Sequence, residues 1–212
     1  MLNIHVIPTG MMDENCSVCW DSEAKEAVIF DPGDDANRII DYIELNSLKP
    51  MAIIQTHCHY DHIGAIAEVK AKYNIPLLVH SEEITNMRAM EKYMAAQLGE
   101  EPHHHEVDRF IKSDEVIEYA GITIRVIFTP GHTAGGVCLL VNDKHLITGD
   151  TLFAGSVGRW DFPGGNYEVL TKSIKKLMEL PNDVMIYPGH GEVSTIGNEK
   201  RYNPFVKQMI KS

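Results

Sequence analysis

Residues 56–62 read THCHYDH and pack three histidines and an aspartate into the six positions from His57 to His62. Imidazoles and a carboxylate concentrated in this way are a metal-ligand signal, and the pattern H-x-H-x-D-H is specific enough to be informative without being conclusive. If these groups hold cations, the remainder of the chain must fold so as to bring further ligands to them.

Short apolar runs rich in β-formers occupy 2–7, 16–20, 27–30, 51–55, 77–80, 116–119, 122–128, 137–141, 145–148 and 184–187. Apolar residues spaced at three and four predict helices over 35–45, 61–73, 82–98 and 167–180, with a last helix over 203–210. The class is α/β, and the order of elements suggests two sheet-and-helix halves packed together. No linker or low-complexity tract divides the 212 residues, so one domain spanning 1–212 is expected.

The placement of other His and Asp residues relative to these strands is the strongest clue. MAIIQT runs into His57, IRVIFTPG into His132, HLITG into Asp150, and VMIYPG into His190. Four strands thus deliver a metal-type residue just past their C-terminal ends, the edge at which α/β sheets place ligands. Gly131, Gly149 and Gly189 each precede such a residue and permit tight turns. Any one of these histidines, taken alone, reads better as a satisfied loop or core residue; four convergences do not.

Together His57, His59, Asp61, His62, His132, Asp150 and His190 form a set of seven, too many for one catalytic zinc with three protein ligands and an open position. Two metals sharing a bridge fit the set. His57, His59 and His132 are assigned to one metal, Asp61, His62 and His190 to the other, and Asp150 to the bridge, because a carboxylate offers two oxygens.

Charge and composition limit the partner. A formal charge of −11 leaves little basic surface for a polyanion, which argues against nucleic acid and for a small-molecule substrate. No apolar run reaches the ~20 residues of a membrane span, and MLNIHVIPTG lacks the features of a signal peptide, so a cytoplasmic protein with no membrane role is expected. The pair Cys16 and Cys19 has no second pair downstream, and residues three apart on a strand face opposite ways; both read as packing cysteines. Cys58, between two ligand candidates, reads as a bystander. The tract His103, His104 and His105 reads as a surface loop near the substrate entrance that binds metal only adventitiously. Met87, Met90 and Met94 lie at helical spacing and read as core, with an apolar lid over the pocket as the alternative.

The motifs THCHYDH, TPGHT at 129–133, TGDTLF at 148–153 and YPGHG at 187–191, in that order, resemble those of the metallo-β-lactamase-fold hydrolases over almost the whole chain. The resemblance implies a four-layer αββα sandwich with a dinuclear site at the edge between two sheets, and makes DPG at 31–33 the structural aspartate loop. GRWDFPGG at 158–165 and TIGNEKRYNPF at 195–205 look most like the glyoxalase II-like branch, whose members hydrolyse thioesters such as hydroxyacylglutathione. The expected function is therefore metal-dependent hydrolysis of a thioester or ester of a small substrate by a hydroxide held between two divalent ions. Zinc is the first expectation, with iron or manganese compatible. Asp61 is expected to orient the hydroxide as well as bind metal, and Arg159 to contact an anionic substrate or else to form a surface ion pair.

Two other classes compete. The persulfide dioxygenases are similar in the first motif and in the GR-x-DF loop, and His57, His132 and Asp150 would serve as a mononuclear non-haem iron triad. A metal-binding domain without turnover is the other. Glyoxalase II proper resembles this chain followed by a helical domain that helps hold glutathione, whereas this sequence stops about 20 residues after His190; modest discrimination among thiol halves follows as an expectation. Sequence leaves the substrate, the metal and the oligomeric state open.

Overall fold

The computed structural model describes residues 1–119 and 121–211. The first sheet contains β1 (Leu2–Thr9), β2 (Glu14–Asp21), β3 (Glu26–Phe30), β4 (Lys49–Ile54), β5 (Leu77–His80) and β6 (Arg109–Ile111), side by side in that order. The strands β1 to β3 form an antiparallel meander, and β3 to β6 are parallel. Parallel neighbours need crossover segments. These are α1 (Ala36–Leu45), the pair α2 (Tyr60–Ile63) and α3 (Ile66–Tyr73), and α4 (Ile84–Leu98).

The second half begins with β7 (Val116–Tyr119), β8 (Ile122–Phe128), β9 (Val137–Val141) and β10 (His145–Gly149). A small ribbon, β11 (Leu152–Phe153) with β12 (Ser156–Val157), and α5 (Tyr167–Leu177) precede β13 (Met185–Pro188) and β14 (Ser194–Thr195). Helices α6 (Ile196–Tyr202) and α7 (Pro204–Met209) follow, and the second sheet runs in the order β14-β13-β10-β9-β8-β7.

Period-two alternation explains why so many strands are apolar throughout. Val28 and Phe30 face the second sheet while Ile29, between them, faces the helices; Ala52 and Ile54 flank Ile53 in the same way. In the other half, Val137, Leu139 and Val141 enter the layer between the sheets, and Cys138 and Leu140 meet α5 to α7. Three buried clusters thus separate four layers, helices on sheet on sheet on helices, as the resemblance implies. The pair Cys16 and Cys19 obeys the same rule, Cys16 lying under the helices and Cys19 between the sheets. All four cysteines are buried and free. Burial of Leu170, Ile174 and Leu177 along one stripe of α5, each worth roughly 1.5–3 kcal/mol, docks that helix, whose first turn is capped by Asn166 accepting from Val169 N at 3.0 Å.

The structure departs from the sequence reading in local detail. The helix expected over 61–73 is broken after Ile63, because the Ala65 amide donates to Pro32 O at 3.1 Å instead of continuing the helix, and Gly64 packs against Gly33. The short strands β6, β11, β12 and β14 and the helix α6 were not expected. In α6 only Ile196 and Glu199 are buried, too few for an apolar period to show. Among the described residues no helix is long and apolar enough to cross a membrane.

Candidate metal centre

The strands β8 and β10 both pair antiparallel with β9, and β13 runs parallel to β10, so β8, β10 and β13 point the same way. The residues just past their C-terminal ends, His132, Asp150 and His190, therefore emerge on one edge. The first sheet joins that edge where Val137 N donates to Thr56 O at 2.9 Å, which sets the His57 loop beside β9. Helix α2, starting directly after His59, turns Asp61 and His62 inward from the same loop.

Two triads result, each with ligand atoms mutually within 4.8 Å: His57, His59 and His132, and Asp61, His62 and His190. In the first, His59 Nδ1 lies 3.2 Å from His57 Nε2 and 2.9 Å from His132 Nε2. Asp150 stands between the triads, Oδ1 3.4 Å from His62 Nε2 and Oδ2 3.6 Å from His132 Nε2 and 3.7 Å from His190 Nε2. All seven residues read from the sequence meet here. The glycines before them act in two ways: Gly131 and Gly149 adopt left-handed backbone (φ +130° and +46°), whereas Gly189 supplies room, since a Cβ there would lie 2.3 Å from Asp150 Oδ1.

The donor set fits cations. Three ring nitrogens converge in the first triad with too few protons to join them all, and His62 Nε2 and Asp150 Oδ1 are buried without a hydrogen-bond partner. Outer groups turn the remaining ring nitrogens away from the centre. His132 Nδ1 donates to Arg159 O at 2.8 Å and His190 Nδ1 to Met12 O at 3.1 Å, while His62 Nδ1 lies 3.1 Å from Asp31 Oδ2. Asp31 groups geometrically with His57 and His62, but its oxygens are engaged by His62 and by Thr56, whose amide donates to Oδ1 at 2.7 Å. It is an orienting carboxylate.

Electrostatics favour neutral imidazoles on one side and charge pairs on the other. Burial, then the neighbouring histidines, hold His57 well below the usual histidine range, and burial with His132 lowers His59 to about 4. Burial would lower His62 too, but Asp150 and Asp31 outweigh it and raise the ring well above its ordinary value. Burial opposes ionisation of Asp150, yet His62, followed by His132 and His190, brings the carboxyl down to about 2.

Sequence patterns missed Glu83. Its buried carboxylate accepts from Cys58 N and from Gly135 N, both at 2.9 Å, and thereby clasps the His57–His59 loop to the loop that follows His132. No sequence signal marks it, because both partners are remote in the chain. Substituting Glu83→Gln leaves one amide facing an NH2 group, a loss of about 1–3 kcal/mol. The expected result is a several-fold weaker metal at the His57, His59 and His132 site with the other site little changed, measured by competition with a chromophoric chelator.

The Cys58 thiol packs in the core under the helices and its titration is pushed well up by burial, as a bystander requires. The three-histidine tract is not among the residues lining the cleft and is less open than a surface loop: His105 is buried, and His104 Nδ1 and the His105 amide bind Glu91 of α4 at 2.6 and 2.8 Å. Replacing His103, His104 and His105 together by alanine is expected to leave tight metal content unchanged and to lower the melting temperature, read by elemental analysis and calorimetry. Arg159 lines the cleft, and its guanidinium forms a two-point ion pair with Asp161, the surface pairing that was the alternative to a substrate contact.

Comparison with known proteins agrees with this fold. The family model described as metallo-beta-lactamase superfamily matches residues 10–190. Hydroxyacylglutathione hydrolase GloC of Haemophilus influenzae is 37% identical over 97% of this chain and 98% of its own. Among solved structures, BLEG-1 B3 metallo-beta-lactamase superposes with a TM-score of 0.89 at 35% identity, covering 96% of this chain and 99% of that one. TTHA1623 in a di-iron-bound form superposes with a TM-score of 0.83 at 31% identity, covering 95% and 99%.

Proposed function

Since the chain belongs to the metallo-β-lactamase superfamily, we propose that it is a metal-dependent hydrolase that cleaves a thioester or ester of a small substrate, in the manner of glyoxalase II. The observation that carries this reading is the pair of triads flanking Asp150, which lines an open cleft, with His62 Nε2 and Asp150 Oδ1 buried side by side and without a hydrogen-bond partner. His57, His59 and His132 would hold one divalent ion, Asp61, His62 and His190 the second, and Asp150 would reach both. Such ions, when bound, acidify water and polarise a carbonyl.

The protein's own groups then have definite tasks. The Asp61 carboxylate, with Oδ2 3.3 Å from His190 Nε2, accepts a hydrogen bond from the attacking water and orients it. The carbonyls of Met12 and Arg159 keep His190 and His132 in the tautomers that present Nε2 to the centre. The buried floor excludes bulk water from all but the open face, which strengthens these interactions. No serine or cysteine nucleophile is required. Zinc suits the His/carboxylate set, and so do iron and manganese; the GloC relative supports the thioester, while TTHA1623, described as di-iron-bound, supports a pair of metals.

Hydrolysis of a panel of thioesters, lactones, β-lactams and phosphodiesters by protein loaded separately with each of the three metals tests the reading. Turnover of thioesters or esters above the others is expected. Cleavage of phosphodiesters alone, or binding of metal with no turnover on any of them, would defeat it.

A further inference from the structure

The cleft in front of the seven residues encloses about 700 Å³. Its walls, away from the metal ligands, are apolar except for Asn86 and Arg159. Met12 comes from the β1–β2 turn, Tyr60 from α2, Met90 and Tyr93 from α4, and Phe162 and Pro163 from the loop after β12. These side chains form a continuous lining: the Tyr60 and Tyr93 rings lie 5.7 Å apart, the Tyr60 hydroxyl donates to Met12 Sδ at 3.3 Å, and Phe162 sits edge-on to His59 with centroids 6.0 Å apart. Met12, Tyr93 and Phe162 are nonetheless 52%, 49% and 40% exposed. Large apolar groups left open around a single cleft mark a surface that something apolar covers.

Charge points the same way. Among the described residues Arg159 is the one Lys or Arg lining the cleft, and its guanidinium is already engaged: Nε and Nη2 donate to Asp161 at 2.8 and 2.9 Å, and its carbon lies 3.6 Å over the Phe162 ring. The chain as a whole carries −11. A glutathione half, with its two carboxylates and ammonium, would find one shared cation and no acidic site placed apart from the metal ligands.

We propose that the enzyme selects acyl thioesters whose thiol half is uncharged and apolar, of aromatic or branched aliphatic size, seated against Met90, Tyr93 and Phe162. The inference rests on the hydrolase reading and names its substrate class. The thiol half is the one concerned because the acyl group of the substrate is small, which leaves the thiol half to meet the apolar lining. In the reaction the water oxygen bonds to the acyl carbon, the C–S bond breaks with its electron pair leaving on sulfur, the thiolate takes up one proton of the water and the other passes to solvent, giving a carboxylate and a neutral thiol.

The test compares kcat/KM of the metal-loaded enzyme for the lactoyl thioester of benzyl mercaptan and for lactoylglutathione. The benzyl ester is expected to be favoured at least tenfold, mainly through KM. In the Met90→Ala, Tyr93→Ala double variant that ratio should fall about tenfold, whereas a purely structural role for the two side chains would depress both substrates equally and leave the ratio unchanged. Preference for lactoylglutathione, or an unchanged ratio in the double variant, overturns the inference while the hydrolase reading stands. Failure to cleave either thioester, with esters and lactones also untouched, overturns the hydrolase reading and the inference with it.

Discussion

Replacing Asp150 with alanine is expected to reduce turnover by at least about a thousandfold and to strip most of both metals from the chain. The geometry gives the reason: one carboxylate places Oδ1 beside His62 and Oδ2 beside His132 and His190, so it is the anion shared by the two triads. Two unit charges 4 Å apart interact by about 4 kcal/mol at an effective dielectric of 20, and two dications by roughly four times that. Without an anion between them, only Asp61 and neutral imidazoles would be left to counter that repulsion. Asp150→Asn keeps the shape and removes the charge, and should fall between the wild type and alanine in metal content. Cys58→Ser is the matched control, since Cys58 adjoins two of the triad histidines in sequence but turns into the core. It should retain its metals and activity and lose about 1–3 kcal/mol of stability, the cost of burying a hydroxyl. If Cys58→Ser lost its metals while Asp150→Ala kept both, the assignment of the centre would be wrong.

Much of this arrangement was legible in the chain because it obeys short periods. The strands buried on both faces, such as 27–30, 51–55 and 137–141, are apolar runs, and the histidines and aspartate fall at fixed offsets past their ends. What could not be read depends on contacts between remote segments. Glu83 lies in an acidic SEE triplet with nothing in its neighbourhood to distinguish it from a solvated helix start, yet it ties Cys58 to Gly135. Asn15 is equally plain in sequence, and its side chain donates to Pro188 O and Gly191 O, bracketing the His190 loop from the first sheet. The break between α2 and α3 also comes from a remote partner, the Pro32 carbonyl, which overrides an otherwise helical apolar spacing. The apolar cleft is a further case: Met12, Tyr60, Met90 and Phe162 belong to four different segments, and only their meeting gives them meaning.

Metal removal should have the second large effect. Fully loaded protein is expected to contain close to two metal ions per chain by elemental analysis, and a strong chelator should abolish turnover, which returns on adding zinc, iron or manganese. The folded state gathers His57 Nε2 and His132 Nε2 to 3.2 and 2.9 Å from His59 Nδ1, and buries His62 Nε2 beside Asp150 Oδ1 with neither making a hydrogen bond. That gathering costs free energy which a bound cation offsets, because the unfolded chain offers no such cluster. A ligand at a thousand times its dissociation constant stabilises the fold by about 4 kcal/mol per site, and a shift of about 2–4 °C per kcal/mol is usual for domains of 150–250 residues, so two sites add up. The chelated protein should therefore melt more than ten degrees below the loaded form. A single metal at saturation, found as iron and accompanied by oxygen consumption on a persulfide, would show that the second triad is idle and that the chemistry is oxygenation. Two metals with hydrolysis and no oxygen uptake would tie the activity to both triads and to the carboxylate that joins them.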